Sequence, residues 1–322
     1  MKLTFKEIEK ITVGAVRMSE EADGIHFYKC TDKQVKAWGA LHKDLGTRSL
    51  ATTGVRLDFH TDSKSLSFTA PSGSKFELYI DGLFRKRFIM SESGHTVCAE
   101  INDVFGKPMD MARVTLYFPA HSAGVLSALE LDDGAKVIPH TFDTKMLFIG
   151  DSITQGWDAG YDSLSYAQRT SRFFNAESVI HGVGGGYFHD TIFDSIDFKP
   201  EYIVIAFGTN DFGHYPTTDE MRYHARAFFD SIKKEYGDAK NVFVLSPIWR
   251  ADFLTKNPKM GSFDQCRSVV ITEAESHGFT HIDGATLVPP DPFFFADERL
   301  HPDALGFGIY AENLIKQMMK HM

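Results

Sequence analysis

The pattern of apolar residues changes near residue 145, and this change constrains the fold more than any other feature of the sequence. From Lys145 onward, short apolar runs alternate with longer stretches of helical periodicity. One such stretch, residues 217–236, begins with a capping box formed by Thr217 and Glu220. Alternating strands and helices predict an α/β half with a parallel sheet and helices on both faces. The predicted strands are residues 146–149, 178–180, 202–207, 242–245 and 280–282.

Residues 54–136 follow a different pattern, in which short alternating strands are separated by Gly, Pro, Asp and Ser. Asp81-Gly82 lies between two of these runs and predicts a tight hairpin. Six or more closely spaced strands predict an all-β, jelly-roll-like sandwich. A chain of 322 residues is long enough for two domains, and we expect them to comprise residues 1–140 and 141–322. The first 50 residues are compatible with edge strands or an interdomain segment.

Charge and composition exclude several classes of partner. The formal net charge of −9 opposes nucleic-acid binding, which needs a basic face. No segment has the roughly 18 continuous apolar residues of a membrane span, and the N-terminus has no apolar core of signal-peptide length. We therefore expect a cytoplasmic protein without nucleic-acid or membrane partners. The sequence does not set an oligomeric state.

Polar or glycine residues follow four of the predicted strands. They are Gly-Asp-Ser at 150–152, a glycine-rich run at 182–186, Gly-Thr-Asn-Asp at 208–211 and, in the loop after the fifth strand, His301. The carboxyl ends of parallel strands meet at one edge of a sheet, where α/β proteins form their sites. We therefore expect these residues to share one site.

This ordered set resembles the SGNH (GDSL) hydrolase superfamily over residues 145–320. "GDSIT", "GVGG", "GTND" and "LHPDALGF" match its four motif blocks. The resemblance implies a flavodoxin-like sheet in this half of the chain. It also implies a nucleophile, an oxyanion-hole glycine, an oxyanion-hole amide and a general base, at Ser152, Gly185, Asn210 and His301, respectively.

The chemistry explains why these residue types are needed. A serine hydroxyl is a weak nucleophile until a neighbouring base takes its proton, and His301 is the well-placed base. The tetrahedral intermediate needs donors for its new negative oxygen. The amide of Ser152, the backbone of Gly185 and the side chain of Asn210 are the candidates, with Gly182 and Gly184 as near alternatives to Gly185.

The acidic member of the triad departs from the superfamily pattern, in which Asp stands three residues before His. Here Glu298 occupies that position, and Asp297 lies one residue earlier. Spacing favours Glu298, whereas residue type favours Asp297. A third alternative is a Ser–His dyad in which a backbone carbonyl orients the imidazole.

A sandwich ahead of such a domain resembles the two-domain acetyl-ester hydrolases that act on plant polysaccharides. We therefore expect an esterase that removes acetyl groups from a carbohydrate or other small ester. A lipase or thioesterase of the same superfamily is one alternative, and a carbohydrate-binding protein with a degenerate site is another. We expect no cofactor and no catalytic metal, since the histidines lack ligand spacing. Four residues near strand ends are candidates for sugar contacts or for interdomain packing: Trp157, Tyr161, Trp249 and Arg250.

Overall fold

The computed structural model describes residues 1–71, 73–90, 95–255, 257 and 260–322. Within these ranges an antiparallel, strand-rich half precedes a half built on one parallel sheet. No helix among them is both long enough and apolar enough to cross a membrane. The strands of the first half are β1 (Thr12–Val13), β2 (Arg17–Glu21), β3 (Gly24–Tyr28), β4 (Arg56–Thr61), β5 (Ser65–Ala70), β6 (Lys75–Ile80), β7 (Leu83–Ile89), β8 (His95–Glu100), β9 (Ala112–Tyr117), β10 (Val125–Leu126), β11 (Ala128–Leu131) and β12 (Ile138–Pro139).

Two antiparallel sheets of this half pack face to face. The larger has the order β1-β4-β9-β6-β7, with β12 also paired to β4, and the smaller has the order β11-β5-β8. The ring of Phe68 on β5 lies 5.0 Å from that of Phe76 on β6 and 5.2 Å from that of Phe88 on β7. Because these rings come from different sheets, the sheets share one apolar core. The predicted sandwich is confirmed.

A tight turn joins β6 to β7, as the sequence predicts. Asp81 and Gly82 both have positive φ, 49° and 75°, the backbone conformation that a two-residue type I′ hairpin requires. A third, smaller sheet of this half has the order β10-β3-β2.

The second half contains a parallel sheet in the order β14-β13-β15-β16-β17. This is the flavodoxin-like order, and the predicted fold class is confirmed. Each predicted apolar run coincides with one strand, and only the ends differ, by up to two residues. The strands are β13 (Thr144–Gly150), β14 (Ala176–Gly182), β15 (Tyr202–Ala206), β16 (Asn241–Leu245) and β17 (Thr280–Ile282).

Helices cover both faces of this sheet and contribute to its two apolar clusters. Thr217 caps the longest of them, since its hydroxyl accepts the Glu220 N–H at 3.2 Å. That helix buries apolar side chains at helical spacing: Met221, Ala225, Phe228, Phe229 and Ile232. The helices of the whole chain are α1 (Phe5–Ile11), α2 (Asp32–Leu41), α3 (Lys43–Ser49), α4 (Tyr166–Phe173), α5 (Asp211–His214), α6 (Thr218–Glu235), α7 (Phe263–Ser276) and α8 (Ala304–Met318).

Helices α2 and α3 pack on the parallel-sheet half, although they precede the sandwich strands. Trp38 and Leu45 are buried in the same apolar cluster as Phe188. The hydroxyl of Thr31, the N-cap of α2, donates to Asp194 at 2.7 Å. The division at residue 140 stays a prediction, and these contacts show that residues 31–49 bridge the two halves.

Candidate active site

Ser152 lies in the turn that follows β13. Gly150 ends that strand, and a Cβ there would lie 2.1 Å from Thr154 Oγ1, so no side chain fits. Asp151 then accepts the Ile153 N–H through Oδ1 at 2.9 Å, which closes the turn. Burial raises the pKa of the Asp151 carboxyl to about 7, against the effect of that backbone bond. The turn holds Ser152 at the carboxyl edge of the sheet.

His301 lies against this serine. Its Nε2 is 2.9 Å from Ser152 Oγ, although the two residues are far apart in the chain. His301 belongs to the loop between β17 and α8, two residues before the N-cap of α8. That cap is Asp303, whose carboxylate accepts the Gly306 N–H at 2.7 Å. The contact is the hydrogen bond that a serine nucleophile and its base require.

A carboxylate holds the other side of the imidazole, and it belongs to Asp297. Asp297 Oδ2 lies 3.0 Å from His301 Nδ1. Its Oδ1 accepts the backbone N–H groups of Arg299, Leu300 and His301 at 3.0, 2.7 and 3.0 Å. Burial opposes ionisation, but these amides and the imidazole hold the pKa of Asp297 below its ordinary value. Asp297 is therefore an ionised, fixed partner for the imidazole.

The prediction that Glu298 contacts His301 is wrong, because Asp297 makes that contact. Glu298 has a φ of 53° and is exposed, because the chain turns sharply at this residue. As a result, the carboxylate that faces Nδ1 belongs to the residue four positions before the histidine, not three. A backbone carbonyl does not take that place, since Asp297 fills it. Asp158 is a second nearby acid, with Oδ2 3.6 Å from the same Nδ1.

The glycine-rich run after β14 contains Gly185, the glycine predicted for the oxyanion hole. Gly185 has a φ of 82°, a conformation that L side chains rarely adopt. The alternative Gly184 already donates its N–H to Gln155 Oε1 at 2.7 Å. The alternative Gly182 packs on the turn behind the site, where a Cβ would lie 2.4 Å from the Gln155 nitrogen. Gly185 is thus the glycine whose role the geometry allows.

Asn210, the predicted oxyanion amide, stands beside this run. Its Nδ2 donates to Gly186 O at 2.9 Å, and a side-chain amide carries a second N–H. Asp211 joins the same two loops, because its carboxylate accepts the N–H groups of Phe188 at 3.0 Å and Gly208 at 2.9 Å. The second and third motif blocks are thereby held together.

Two cationic side chains of the N-terminal half donate hydrogen bonds to the glycine run, and the sequence did not predict either of them. Arg48 Nη1 donates to Gly184 O at 2.9 Å. In a trans peptide the C=O and the next N–H point in opposite directions, so this bond fixes the direction of the Gly185 N–H. No motif marks Arg48. Its position one residue before the end of α3 gives no sign of this contact.

Lys29 is the second such cation and is completely buried. Its Nζ donates to Gly182 O at 2.7 Å, Thr53 Oγ1 at 3.0 Å and Arg48 O at 3.3 Å. Burial lowers the pKa of Lys29 to about 8, and Cys30 and Asp162 oppose that shift only in part. The ammonium group lies beneath the glycine run. Because each of its three N–H groups has an acceptor, its hydrogen bonds are complete although it is buried.

The residues predicted to contact a sugar fall into two groups. The Trp157 ring lies 6.4 Å from the His301 ring, with Arg48 5.5 Å from it and His121 of the sandwich half 4.9 Å from it. Trp157 therefore borders the site, as a sugar-stacking residue would. Trp249 instead packs on the buried Phe295, with ring centroids 5.0 Å apart.

Tyr161 and Arg250 both have partners within the protein. The Arg87 guanidinium lies 4.1 Å from the Tyr161 ring. Arg250 binds the Asp252 carboxylate and donates through Nη1 to Thr209 O at 2.9 Å. Arg250 thus holds the peptide before Asn210, as Arg48 holds the peptide before Gly185.

Comparisons with known proteins bear on the fold and on the family of the chain. Among solved structures, the salicylyl-acyltransferase SsfX3 from a tetracycline biosynthetic pathway is 18% identical, with 96% of this chain and 94% of that chain covered and a TM-score of 0.83. A GDSL-like lipase from Bacteroides ovatus is 17% identical, with 100% and 98% covered and a TM-score of 0.72. A family two carbohydrate esterase from Clostridium thermocellum, in complex with cellohexaose, is 17% identical, with 96% and 98% covered and a TM-score of 0.65.

At these identities the similarity concerns the fold. No curated protein sequence matches the chain. The model of the GDSL-like lipase/acylhydrolase family matches residues 148–309, which is half of the chain and includes all four motif blocks. The chain therefore belongs to the GDSL-like lipase/acylhydrolase family and is a serine ester hydrolase.

Proposed function

We propose that the protein removes short acyl groups, above all acetyl groups, from carbohydrate esters, and that Ser152, His301 and Asp297 form its catalytic triad. The observation that carries this proposal is the continuous chain of contacts from Ser152 Oγ to His301 Nε2, 2.9 Å, and from His301 Nδ1 to Asp297, 3.0 Å. A nucleophile, a base and an orienting carboxylate are the three parts that serine catalysis needs.

The reaction follows from these positions. Ser152 Oγ attacks the ester carbonyl carbon, and His301 Nε2 takes the hydroxyl proton. The carbonyl oxygen becomes negative and accepts hydrogen bonds from the Gly185 N–H and the second side-chain N–H of Asn210. When the C–O bond breaks, His301 gives its proton to the departing alcohol. Water then attacks the acyl-serine by the same route, and the acid is released.

Each oxyanion donor is typically worth about 3 kcal/mol of barrier. Asp297 contributes differently, because its fixed negative charge favours the imidazolium that forms when His301 accepts the proton. A carboxylate in this position also holds the ring in the tautomer that presents Nε2 to the serine.

Two observations support a carbohydrate ester as the substrate. Trp157 offers an aromatic face beside His301, and stacking on aromatic rings suits the apolar faces of sugars. The fold of this chain matches 98% of the chain of a carbohydrate esterase in complex with cellohexaose. The loop after β17 presents one exposed phenylalanine, Phe293, and buries Phe295. It therefore gives little support to the wide apolar groove of a long-chain lipase.

The test is hydrolysis of p-nitrophenyl acetate and of an acetylated xylo-oligosaccharide. We expect the wild type to release acetate with water as the acceptor, and Ser152→Ala to lose at least about 10⁴-fold in kcat. The octanoyl ester should react more slowly than the acetyl ester. Wild-type rates in Ser152→Ala would overturn the assignment of the nucleophile. Product formation only when an alcohol acceptor is added would make the protein a transferase instead.

A further inference from the structure

A second cavity lies between the two halves, away from the catalytic serine. Its volume is about 650 Å³, and β4, β9, α4 and α8 contribute to its walls. It opens at the amino end of β14, where Ala176 pairs with Thr144, whereas the catalytic turn follows the other end of this strand pair, where Gly182 pairs with Gly150. At about 3.3 Å per residue these two ends are roughly 20 Å apart. The cavity is therefore distinct from the esterase site.

Four arginines line this cavity: Arg56, Arg113, Arg169 and Arg172. Two of them share one carboxylate. Arg113 binds Asp58 through two hydrogen bonds of 2.8 Å, and Arg56 Nε lies 3.3 Å from the same carboxylate. The single negative charge of Asp58 thus offsets one of the two positive charges, so the three side chains together keep one positive charge.

Arg169 and Arg172 have only neutral partners in the part of the chain that the structure describes. Arg169 donates to the carbonyls of Leu164 at 2.9 Å and Ala304 at 3.2 Å. Arg172 donates to the Tyr117 hydroxyl at 3.3 Å. No described carboxylate lies within 4.0 Å of either guanidinium. The carboxylate of Glu77 acts on both guanidinium groups at longer range, but it already pairs with Arg87 at 3.2 Å. Charged side chains inside a protein are normally paired, so the walls keep a net positive charge.

Aromatic and apolar side chains form one side of the wall. Tyr79 and Tyr117 flank Arg172, whose guanidinium carbon lies 5.7 Å from the centre of each ring. Phe142, Ile315 and Met319 complete this side. At the rim Lys316 and Glu312 pair with each other at 2.6 Å and add no net charge. A volume of this size lies within the range of small-molecule sites, which are frequent between domains.

We propose that this cavity is a binding site for a small organic anion, in which a carboxylate or phosphate head pairs with Arg169 and Arg172 and an apolar body packs against the aromatic wall. The guanidinium fork matches both kinds of oxyanion head. The ligand contacts both halves of the molecule at once, so its binding stabilises their relative placement.

Isothermal titration calorimetry tests this proposal with four probes: benzoate, phenyl phosphate, benzamide and inorganic phosphate. We expect benzoate or phenyl phosphate to bind, and the neutral benzamide and the bare phosphate to bind at least about tenfold more weakly. Equal binding of benzamide would overturn the role of the charge. Equal binding of inorganic phosphate would overturn the role of the apolar wall.

Variants locate the site. Arg172→Gln and Arg169→Gln should each weaken binding about tenfold or more and leave esterase activity unchanged. If one of them does not fold, the other decides. Lys234→Gln, an exposed change of the same charge on α6, should bind like the wild type. Ser152→Ala should do so as well. Unchanged affinity in the arginine variants, or lost affinity in Ser152→Ala, would overturn the proposal.

Discussion

The two halves of the molecule contribute differently to one active site. The parallel-sheet half supplies the groups proposed to react, each at the end of a strand or in the loop before α8. The N-terminal half supplies no reacting group, but its Lys29 and Arg48 bind the carbonyls of Gly182 and Gly184. The chemistry therefore depends on one half, whereas the orientation of the glycine run depends on the other.

Arg48 and Arg250 make this comparison specific. Each donates one hydrogen bond of 2.9 Å to the carbonyl that precedes a predicted oxyanion residue. Arg250 follows β16 and belongs to the same half as the loop it holds, while Arg48 reaches the loop from α3. An arginine therefore binds the carbonyl before a predicted oxyanion residue twice, once from within the parallel-sheet half and once from the N-terminal half.

The largest expected effect concerns the carboxylate. Asp297→Asn removes the charge that faces His301 Nδ1, so kcat should fall by up to about 10⁴-fold. Glu298→Gln, the matched change at the next residue, should cost no more than a few-fold because Glu298 is exposed. Steady-state kinetics with p-nitrophenyl acetate measure both. The reverse order of the two effects would restore Glu298 as the acid, and a small effect of both would indicate a dyad.

A smaller effect is expected on stability, from the buried Lys29. Its pKa is about 8 in the folded protein, against an ordinary value of 10.5. Between these values the unfolded chain binds more protons at this site, so the stability of the wild type should rise with pH. The free energy of unfolding relative to Lys29→Met should increase by roughly 3 kcal/mol from pH 7.5 to 10.5. Urea unfolding at several pH values measures it, and a flat difference would contradict a buried ammonium.

The smallest effect is expected from Arg48. Arg48→Met frees the Gly184 carbonyl, so the peptide that carries the Gly185 N–H, the proposed oxyanion donor, is no longer held in one orientation. Complete loss of one such donor costs about 10²–10³ in kcat, and we expect about 10–100-fold because the loop keeps its bond to Lys29. KM should change little, and Arg48→Lys should recover part of the rate. A change in KM alone, or equal rates in the Met and Lys variants, would argue against this positioning role.

The sequence allowed the fold and four of the candidate site residues to be predicted. Ser152, Gly185, Asn210 and His301 lie in short motifs placed by strand ends, and alternation of strand and helix is sufficient to bring such motifs to one edge. The sandwich was predictable for a similar reason, because its strands alternate and its turns carry Gly and Asp.

Other features of the site depend on backbone turns and helix packing, which the spacing of residues along the sequence does not reveal. Asp297 faces His301 because the chain turns at Glu298 with positive φ, and a spacing rule assumes the turn of other family members. Lys29 and Arg48 reach the glycine run because α2 and α3 fold back on the parallel-sheet half. That packing depends on Trp38 and Leu45, whose partners lie more than a hundred residues away in the chain.

The most direct test of the account is to trap the nucleophile. Diethyl p-nitrophenyl phosphate phosphorylates an activated serine and releases p-nitrophenol, and mass spectrometry of the digested protein locates the modified peptide. We predict one diethylphosphoryl group on Ser152 in the wild type, none in Ser152→Ala, and much slower labelling in His301→Gln. Labelling of a different residue, or equal labelling of wild type and Ser152→Ala, would contradict the assignment of Ser152 and His301 as nucleophile and base.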